Sequence, residues 1–500
     1  MDIEPKWPII YGIDLNFNQH SIDEHWLGPI ERNEKSINEI SKENYLPIEA
    51  VVHAVSCRFF DLGEINKANK VLKEYLAEND DPTLHNSYLR CLLGSPNTTK
   101  EVFRKETIAW NELYTKDITP LQDKEFANID LSQDRKLNVG VLCGYAQSTL
   151  FELVFGPSFK ALNREEFNII LFNVGSIEHE SVQQYFDVCI DIPVYSVERL
   201  TVAIENNNVD ILIDLNGRFR LDNPIEVLLK RLVPIQISYA NMLASYSLEA
   251  IQYIFTDKYT LLEEDEKYYS EKIYRFKNNV MGGFELPNSE VSSLPSLSLD
   301  GKKEPFTFGS FNALFKLNDD VLEAWCEILT RVPNSRLIIK SIGVESPRLQ
   351  KRLIDFVVKY KLDDRIILES FTPMDEMLKR YNVIDLALNP FPYSGGTTTV
   401  FALWNGVPSM TLYQDGMVQS GGGEGVLQEV GLDQFVAKDV RQYIDKAIYF
   451  AKNPKKLQSI RMGMRKRLKK SVRFNPKAFA KDFGEGLRFT WRDWLKNADF

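Results

Sequence analysis

The chain has 500 residues and a formal net charge of −10, with 44% hydrophobic and 26% charged residues. This length exceeds one ordinary core and predicts two large domains plus an extension. The acidic balance argues against a general nucleic-acid binder or a protein that binds anionic membranes. The basic run at residues 461–470 is a local exception and is interpreted as a solvated helix face.

The cysteine and histidine positions exclude several kinds of site. The five cysteines are scattered without a CxxC spacing, which argues against a disulfide framework or zinc site and predicts a reducing compartment, the cytoplasm. All five histidines lie before residue 180, so the later part of the chain contains no histidine-based metal site or general base. The N-terminus has no signal-peptide pattern, and no run approaches about 18 apolar residues, so we expect no membrane span.

The first part of the chain is predicted to be an irregular segment, residues 1–44, followed by a helical region, residues 45–117. Apolar residues recur at helical spacing from Ile48 to Phe59 and from Ile65 to Leu76. The helical region faintly resembles a tetratricopeptide unit, but no second copy follows at a spacing of about 34 residues. A plain helical cap is therefore the favoured interpretation, and a repeat unit is the alternative.

The rest of the chain predicts an α/β architecture. In residues 136–280, apolar strands alternate with helices, which is typical of a parallel, doubly wound, Rossmann-like sheet. Residues 281–304 are rich in serine and proline and form a predicted linker. Residues 305–500 form a second Rossmann-like domain with C-terminal helices. Two such domains place a cleft between them, and ligands bind beyond the carboxyl ends of the strands.

One stretch at a strand's carboxyl end is the strongest candidate site. Residues 383–388 are a predicted strand, and a proline-containing loop leads from it to the glycines and threonines that start the next helix. The residues at this helix start are Gly395, Gly396, Thr397, Thr398 and Thr399. Glycine allows close backbone approach, and the unpaired N–H groups of a helix start favour an anion such as a diphosphate. The alternative is a threonine N-cap on an ordinary connecting helix.

Other polar residues follow neighbouring predicted strands. Lys316, in the turn that also contains Asn312, could neutralise a diphosphate leaving group or could be an exposed lysine at a helix start. Lys340 ends the next strand, where a snorkelling lysine is an equal alternative. Further candidates are Phe371, Thr372 and Ser420 in the second domain, and Thr149, Asn216, Gly217 and Asn241 in the first. Neither a P-loop nor a GxGxxG fingerprint is present, which disfavours a kinase or dehydrogenase.

Taken together, residues 136–494 resemble the O-GlcNAc transferase family and its bacterial relatives. The matching stretches are VDILIDLNG (209–217), VPIQISY (233–239), FGSFNALFKLNDDVLEAWCEILTRVPNSRLIIK (308–340), DLALNPFPYSGGTTTVFALWNGVP (385–408) and GVLQEVGL (425–432). Several ordered matches of this length are far more specific than any single motif.

The resemblance implies a GT-B fold and an inverting, metal-independent transfer of GlcNAc or glucose from a UDP-sugar. The acceptor implied is a protein side chain, a Ser/Thr hydroxyl in preference to an Asn amide, and no cofactor is implied. For the nucleotide-sugar site, the resemblance implies that Lys316 contacts the diphosphate and that the turn at residues 395–398 holds it from the helix end. Residues 371–373 meet the uracil, and Ser420 lies in a loop near the nucleotide. Independently of the resemblance, Asn216, Gly217 and Asn241 follow predicted strands of the first domain, where an acceptor or a sugar could lie.

The chain also departs from the family pattern. Thr149, counted with Lys316 as a catalytic candidate, stands where the family often has a histidine. Phe401 replaces an acidic residue that meets the ribose, and Ala313 replaces an amide near the phosphates. Gly396 stands where some members have a histidine, and Gly421 replaces a loop arginine. These departures motivate the alternative of a non-catalytic, sugar-nucleotide-binding subunit that assists a partner glycosyltransferase. A GT-B epimerase is a third, disfavoured hypothesis.

Overall fold

The structure is a computed structural model that describes residues 22–500 except 33, 147, 175–180, 193–195, 220–223, 241–243, 289, 298–303, 416 and 418–421. Residues 1–21 of the predicted segment 1–44 lie outside the described residues. Residues 298–303 of the predicted linker also lie outside them. From residue 22 onward the first segment is largely helical, so the prediction of irregular structure was wrong there. Ser36 and Glu39 form a capping box that starts one of its helices.

The helices follow one another along the described residues. They are α1 Gly28–Glu31, α2 Ile37–Asn44, α3 Ile48–Asp61, α4 Ile65–Leu76, α5 Pro82–Gly94, α6 Lys100–Tyr114, α7 Thr149–Val154, α8 Gly156–Ala161, α9 Val197–Glu205, α10 Ile225–Leu229, α11 Asp319–Arg331, α12 Pro347–Tyr360, α13 Met374–Arg380, α14 Thr397–Trp404, α15 Gly422–Glu429, α16 Val440–Lys452, α17 Pro454–Leu468 and α18 Pro476–Asn497. Among the described residues, no helix is both long enough and apolar enough to cross a membrane.

The strands form two sheets that are parallel throughout their described residues. They are β1 Leu137–Cys143, β2 Phe167–Val174, β3 Val188–Ile192, β4 Ile211–Asp214, β5 Ile235–Tyr239, β6 Tyr253–Thr256, β7 Lys272–Arg275, β8 Phe306–Ser310, β9 Ser335–Lys340, β10 Ile366–Glu369, β11 Leu386–Leu388, β12 Ser409–Leu412 and β13 Val436–Ala437. The first sheet has the order β3-β2-β1-β4-β5-β6-β7, and the second has the order β10-β9-β8-β11-β12-β13. The predicted α/β class with two Rossmann-like sheets and N-terminal helices is confirmed.

The predicted strands differ from the structure at a few places. The strand predicted over residues 383–388 is shorter in the structure, where only β11 is a strand. The preceding residues Tyr381–Val383 form a 3-10 turn, and Ile384 N donates to the Tyr381 carbonyl at 3.1 Å. The edge strands β7 and β13 are absent from the prediction. The β7 sequence, KIYR, is short, has a charged residue at each end and lies at a partly exposed edge, and β13 has only two residues.

The chain divides into two compact units whose limits differ from the predicted domains. The first-sheet unit is Lys100–Pro287 with Leu468–Phe500, and the second-sheet unit is Met1–Thr99 with Asn288–Arg467. The predicted helical region 45–117 is thus divided after Thr99. The last helix, α18, leaves the predicted domain 305–500 and packs its Phe483 ring on Phe276 in the first-sheet unit, with ring centroids 5.7 Å apart.

The predicted linker is divided after Pro287, and its described residues from Asn288 onward are held by the second-sheet unit. Ser296 N donates to the Asp385 carboxylate at 3.0 Å, and Leu294 N donates to the Gln458 side chain at 2.6 Å. The buried Arg461, at the start of the basic run, donates to the Ser292 carbonyl at 2.8 Å. The first residue of the basic run is therefore structural, contrary to its interpretation as part of a solvated face.

Candidate functional site

The carboxyl ends of β8 and β11 bring two of the predicted segments together. These strands are neighbours in the second sheet and run parallel, with Leu386 paired to Phe308. The turn that follows β8 contains Asn312 and Lys316, and the loop that follows β11 leads to Gly395 and α14. Because parallel strands end at the same edge, the lysine and the helix start lie side by side.

Helix α14 starts without a side-chain cap. Its N-cap is Gly396, with φ −87° and ψ −83°, and this residue provides no side-chain cap hydrogen bond. The alternative of a threonine N-cap is therefore wrong, because Thr397 is already the first helical residue. The first N–H groups of a helix have no intrahelical partner. A Cβ added at Gly396 would meet nothing within 4 Å, so there is room for a ligand beside these N–H groups.

The residues around Gly395 form a closely packed hydrogen-bond network. Thr398 Oγ1 donates to Asn312 Oδ1 at 2.9 Å, and Thr399 Oγ1 donates to the Gly395 carbonyl at 2.5 Å. Asn389 Nδ2 donates to Thr399 Oγ1 at 2.9 Å. The hydroxyl protons of Thr398 and Thr399 are thus used within the protein, and the half-exposed Thr397 remains the better candidate for direct ligand contact. This network fixes the backbone that presents the helix start.

Lys316 lies against this network. It ends the 3-10 turn Leu314–Lys316, and its Nζ donates to the Ser394 carbonyl at 3.0 Å. The same Nζ lies 4.3 Å from the centroid of the Tyr393 ring and 5.7 Å from that of Phe315. Burial lowers the pKa of Lys316 to about 7, because removal of the ammonium group from water disfavours its charged form. The reading of Lys316 as a solvent-exposed lysine is therefore wrong.

Ser394 connects the lysine to the glycine-rich segment at residues 422–425, at the start of α15, and it is not among the site residues predicted from the sequence. Its carbonyl accepts from Lys316, and its Oγ accepts from Gly423 N in α15 at 2.9 Å. Its place directly before the two glycines is the signal that could have identified it. Ser420 and Gly421 lie outside the described residues, but α15 begins at Gly422, close to Gly396. The start of this segment therefore lies beside the start of α14.

The remaining nucleotide candidates lie at the ends of β9 and β10. Lys340 is buried, and its Nζ donates to the Ser370 carbonyl, which favours a structural role over direct contact with a ligand. Phe371 is 64% exposed, so its ring is available for stacking. Thr372 Oγ1 is buried and has no hydrogen-bond partner among the described residues. Phe371 and Thr372 therefore remain candidates for contact with a base.

Two departures from the family pattern have contrasting environments. Phe401 is buried in α14, so its ring belongs to the core and offers no polar group to a ribose. Ala313 is exposed at the start of the Lys316 turn, so its small side chain leaves space at the surface.

In the first-sheet unit, the candidate residues gather at the ends of β1 and β4. Asn216 is fully buried, and its Oδ1 accepts from Gly144 N at 2.6 Å, which ties the loop after β4 to the loop after β1. Its Nδ2 has no hydrogen-bond partner among the described residues. Gly217 has φ +65°, and its N–H donates to Asp214 Oδ2 at 3.0 Å. Asn241 lies outside the described residues.

Thr149 occupies the first position of α7 and is exposed. Ser148 caps this helix by accepting from Phe151 N at 3.1 Å. A threonine hydroxyl is not a base near neutral pH, so Thr149 is suited to hydrogen bonding and not to proton abstraction.

The described residues contain no group of three or more His, Cys, Asp or Glu side chains placed to hold a metal ion. The five cysteines are free thiols. The predicted independence of a metal and of other cofactors remains a prediction.

Comparison with known proteins identifies relatives of the chain. Residues 300–483 match the model of glycosyl transferase family 41. The chain is 28% identical over 305 residues to the tomato (Solanum lycopersicum) protein "Probable UDP-N-acetylglucosamine--peptide N-acetylglucosaminyltransferase SPINDLY". The aligned region covers 60% of this chain and 32% of that protein. It is 25% identical over 342 residues to the protein of Arabidopsis thaliana with the same activity name and the name SEC, covering 66% of this chain and 34% of that protein. The chain thus spans about a third of the length of these relatives.

A solved structure shows the same fold. A mutant of the Thermobaculum terrenum O-GlcNAc transferase superposes with a TM-score of 0.81 and 22% identity, over 89% of this chain and 85% of that one. The GT-B fold class predicted from the resemblance is confirmed by this match. The chain is therefore similar in sequence to the O-GlcNAc transferases and shares the fold of one of them, as predicted, and its residues 300–483 match the model of glycosyl transferase family 41.

Proposed function

We propose that the protein is an inverting glycosyltransferase that moves GlcNAc or glucose from a UDP-sugar to a protein side chain. The observation that carries the proposal is the convergence of Lys316 and the start of α14 on one edge of the second sheet, joined by the bond from Lys316 Nζ to the Ser394 carbonyl at 3.0 Å. A cation and a row of free N–H groups at one place are suited to a diphosphate. The names of the curated relatives support UDP-GlcNAc as the donor and a peptide as the acceptor.

The proposed chemistry is a direct displacement at the anomeric carbon. The acceptor oxygen forms a bond to this carbon while the bond to the diphosphate oxygen breaks, so that UDP leaves with the bonding pair and the proton of the acceptor hydroxyl passes to water. Lys316 and the N–H groups of α14 stabilise the negative charge that develops on UDP, and a Ser/Thr hydroxyl is favoured over an Asn amide as the acceptor. These groups supply the positive charge for which a metal ion would otherwise be needed, and we propose that the reaction needs none.

Calorimetry and mass spectrometry test this proposal together. UDP and UDP-GlcNAc should bind with and without EDTA, GDP should bind more weakly, and candidate acceptor proteins should gain the mass of one sugar after incubation with the donor. Absence of UDP binding, or transfer that EDTA abolishes, would contradict the proposal.

The exposed Thr149 favours one alternative, in which the chain binds a sugar nucleotide and assists a partner glycosyltransferase subunit. In that case UDP binds, but the chain alone neither hydrolyses the donor nor modifies any acceptor. Adding the partner enzyme should then restore transfer, and transfer by this chain alone would exclude the alternative.

The affinity for UDP should depend on pH through Lys316. Free Lys316 has its pKa lowered to about 7 by burial, and a bound diphosphate raises it again by favouring the charged form. Binding above pH 7 therefore takes up a proton, and the affinity should fall by up to about tenfold for each pH unit above 7. Calorimetry between pH 7 and 9, in buffers of different ionisation enthalpy, measures both the affinity and the proton uptake.

Replacement of Lys316 by methionine provides the control for this pH dependence. The variant keeps the titration of UDP itself, whose last phosphate proton leaves near pH 6 by analogy with other phosphate esters. A loss of affinity above pH 7 that persists unchanged in Lys316→Met would assign the effect to another group.

A further inference from the structure

The N-terminal helices contact the turn that carries Lys316. The turn between α3 and α4 contains Gly63. It packs on residues 314–317, which form the Lys316 turn. All of these residues belong to the second-sheet unit. A region whose sequence suggests a helical cap or a repeat unit is therefore packed directly behind the proposed diphosphate lysine.

Gly63 is fitted closely against the Lys316 turn. Its φ is +76°, and an added Cβ would lie 2.5 Å from the Leu317 carbonyl oxygen and 2.7 Å from that of Leu314. Both neighbours are backbone atoms, so a side chain at this position has to displace the turn itself. Arg352 joins the same two segments, because it donates to the Leu62 carbonyl at 3.0 Å and to the Leu317 carbonyl at 2.9 Å.

Three aromatic rings in contact with one another connect α3 to Lys316. Arg90 lies 4.3 Å above the Phe60 ring, and Phe60 stacks on Phe315 with centroids 4.8 Å apart. Phe315 meets Tyr393 edge to face at 5.4 Å, and Tyr393 lies under Lys316 Nζ. The helices α3 and α5 therefore reach the lysine through two rings that belong to the site edge.

We propose that the α3–α4 turn and Phe60 form a brace that positions Lys316 for the diphosphate. Lys316 lies on a single 3-10 turn, which has few hydrogen bonds of its own to fix it. The brace holds this turn on one side, and the Ser394 carbonyl holds the ammonium group on the other. Gly63 and Phe60 are thus positioning residues, and the role assigned to Lys316 rests on the proposed function.

The replacement Gly63→Ala tests the brace. We expect turnover and UDP affinity to fall by about tenfold to 100-fold, because misplacement of a charged group by about 1 Å has effects of this size. The matched control is Gly431→Ala. Gly431 has φ +65°, and its added Cβ would meet only the flexible Arg467 side chain at 3.4 Å. Both variants carry similar backbone strain, but only one displaces the Lys316 turn.

A second readout does not require UDP. The pH profile of reductive methylation of Lys316, followed by mass spectrometry, should have its midpoint near 7 in the wild type. In Gly63→Ala the midpoint should move towards the ordinary lysine value, and in Gly431→Ala it should stay. This shift supports the brace even if UDP fails to bind, in which case only the proposed function is lost. An unchanged profile overturns the brace, whatever the protein binds.

Two further variants cover the case in which Gly63→Ala does not fold. Phe60→Leu removes the stacked ring and should shift the methylation profile in the same direction. Phe59→Leu, in the same buried helix but against Lys67 and Arg348, should not. In a Lys316→Met background, Phe60→Leu should have no further effect on UDP affinity. Equal losses in both backgrounds would show that Phe60 acts on the fold and not through Lys316, and would overturn the proposal.

Discussion

Lys316→Met should lower turnover by about 100- to 1000-fold, the size found when one preorganised charge-stabilising group is removed from an active site. The methionine keeps an apolar stem between the Tyr393 and Phe315 rings, so the fold should be retained. The loss should appear mainly in kcat with a saturating donor, because the charge on the leaving UDP develops in the transition state. Steady-state kinetics with UDP-GlcNAc and an acceptor protein provide the measurement.

Lys446→Met is the matched control for this loss. Lys446 is also a half-buried lysine of the second-sheet unit, its pKa is lowered by burial, and its Nζ donates to a backbone carbonyl, that of Val436. It has no proposed role, so its replacement should change kcat little. If kcat falls equally in the two variants, the loss results from removing any half-buried lysine and does not identify a role for Lys316. If Lys316→Met keeps wild-type kcat, the proposed role of Lys316 is wrong.

The parallel sheets and their strand ends could be predicted because the information is local. A buried parallel strand appears as a short apolar run, and the polar residues after each run, such as Asn312 after β8, then mark the carboxyl edge. The prediction that Lys316 and Gly395 lie close together needs only the rule that parallel strands end at one edge. Their contact through the Ser394 carbonyl follows that rule, although the serine itself carries no distinct pattern.

Two features could not be predicted from the sequence: the brace, and the packing of α18 in the first-sheet unit. Both depend on contacts between distant parts of the chain. Gly63 looks like an ordinary helix-ending glycine until Leu314 and Leu317, about 250 residues later, are placed against it. Helix α18 has the apolar pattern of any amphipathic helix, and its pattern does not say which sheet it covers. Packing of Phe483 on Phe276 decides this in favour of the first-sheet unit.

Gly395→Ala should abolish UDP binding, because the turn has no space for a methyl group. An added Cβ would lie 2.3 Å from Thr398 Oγ1 and 2.7 Å from both Asn312 Oδ1 and Asn389 Oδ1. These three side chains belong to the hydrogen-bond network that fixes the start of α14, so the network has to open and the N–H groups of the helix start lose their alignment. We expect an affinity loss of at least about 100-fold, measured by calorimetry with UDP.

Two glycine variants separate this effect from general damage to the fold. Gly396→Ala places its Cβ at a φ of −87° in the space left for the ligand, so it should keep the helix start and the wild-type Tm, and it should lose less affinity than Gly395→Ala because the hydrogen-bond network stays closed. Gly406→Ala, just beyond the other end of α14, has a φ of +80° and places its Cβ 2.5 Å from Val291, so it should lower Tm without a comparable loss of affinity. Equal losses of affinity in Gly395→Ala and Gly406→Ala would mean that the anion site depends on overall stability alone. A loss confined to Gly395→Ala would assign diphosphate binding to the backbone that Gly395 holds, since this variant alters no charged group.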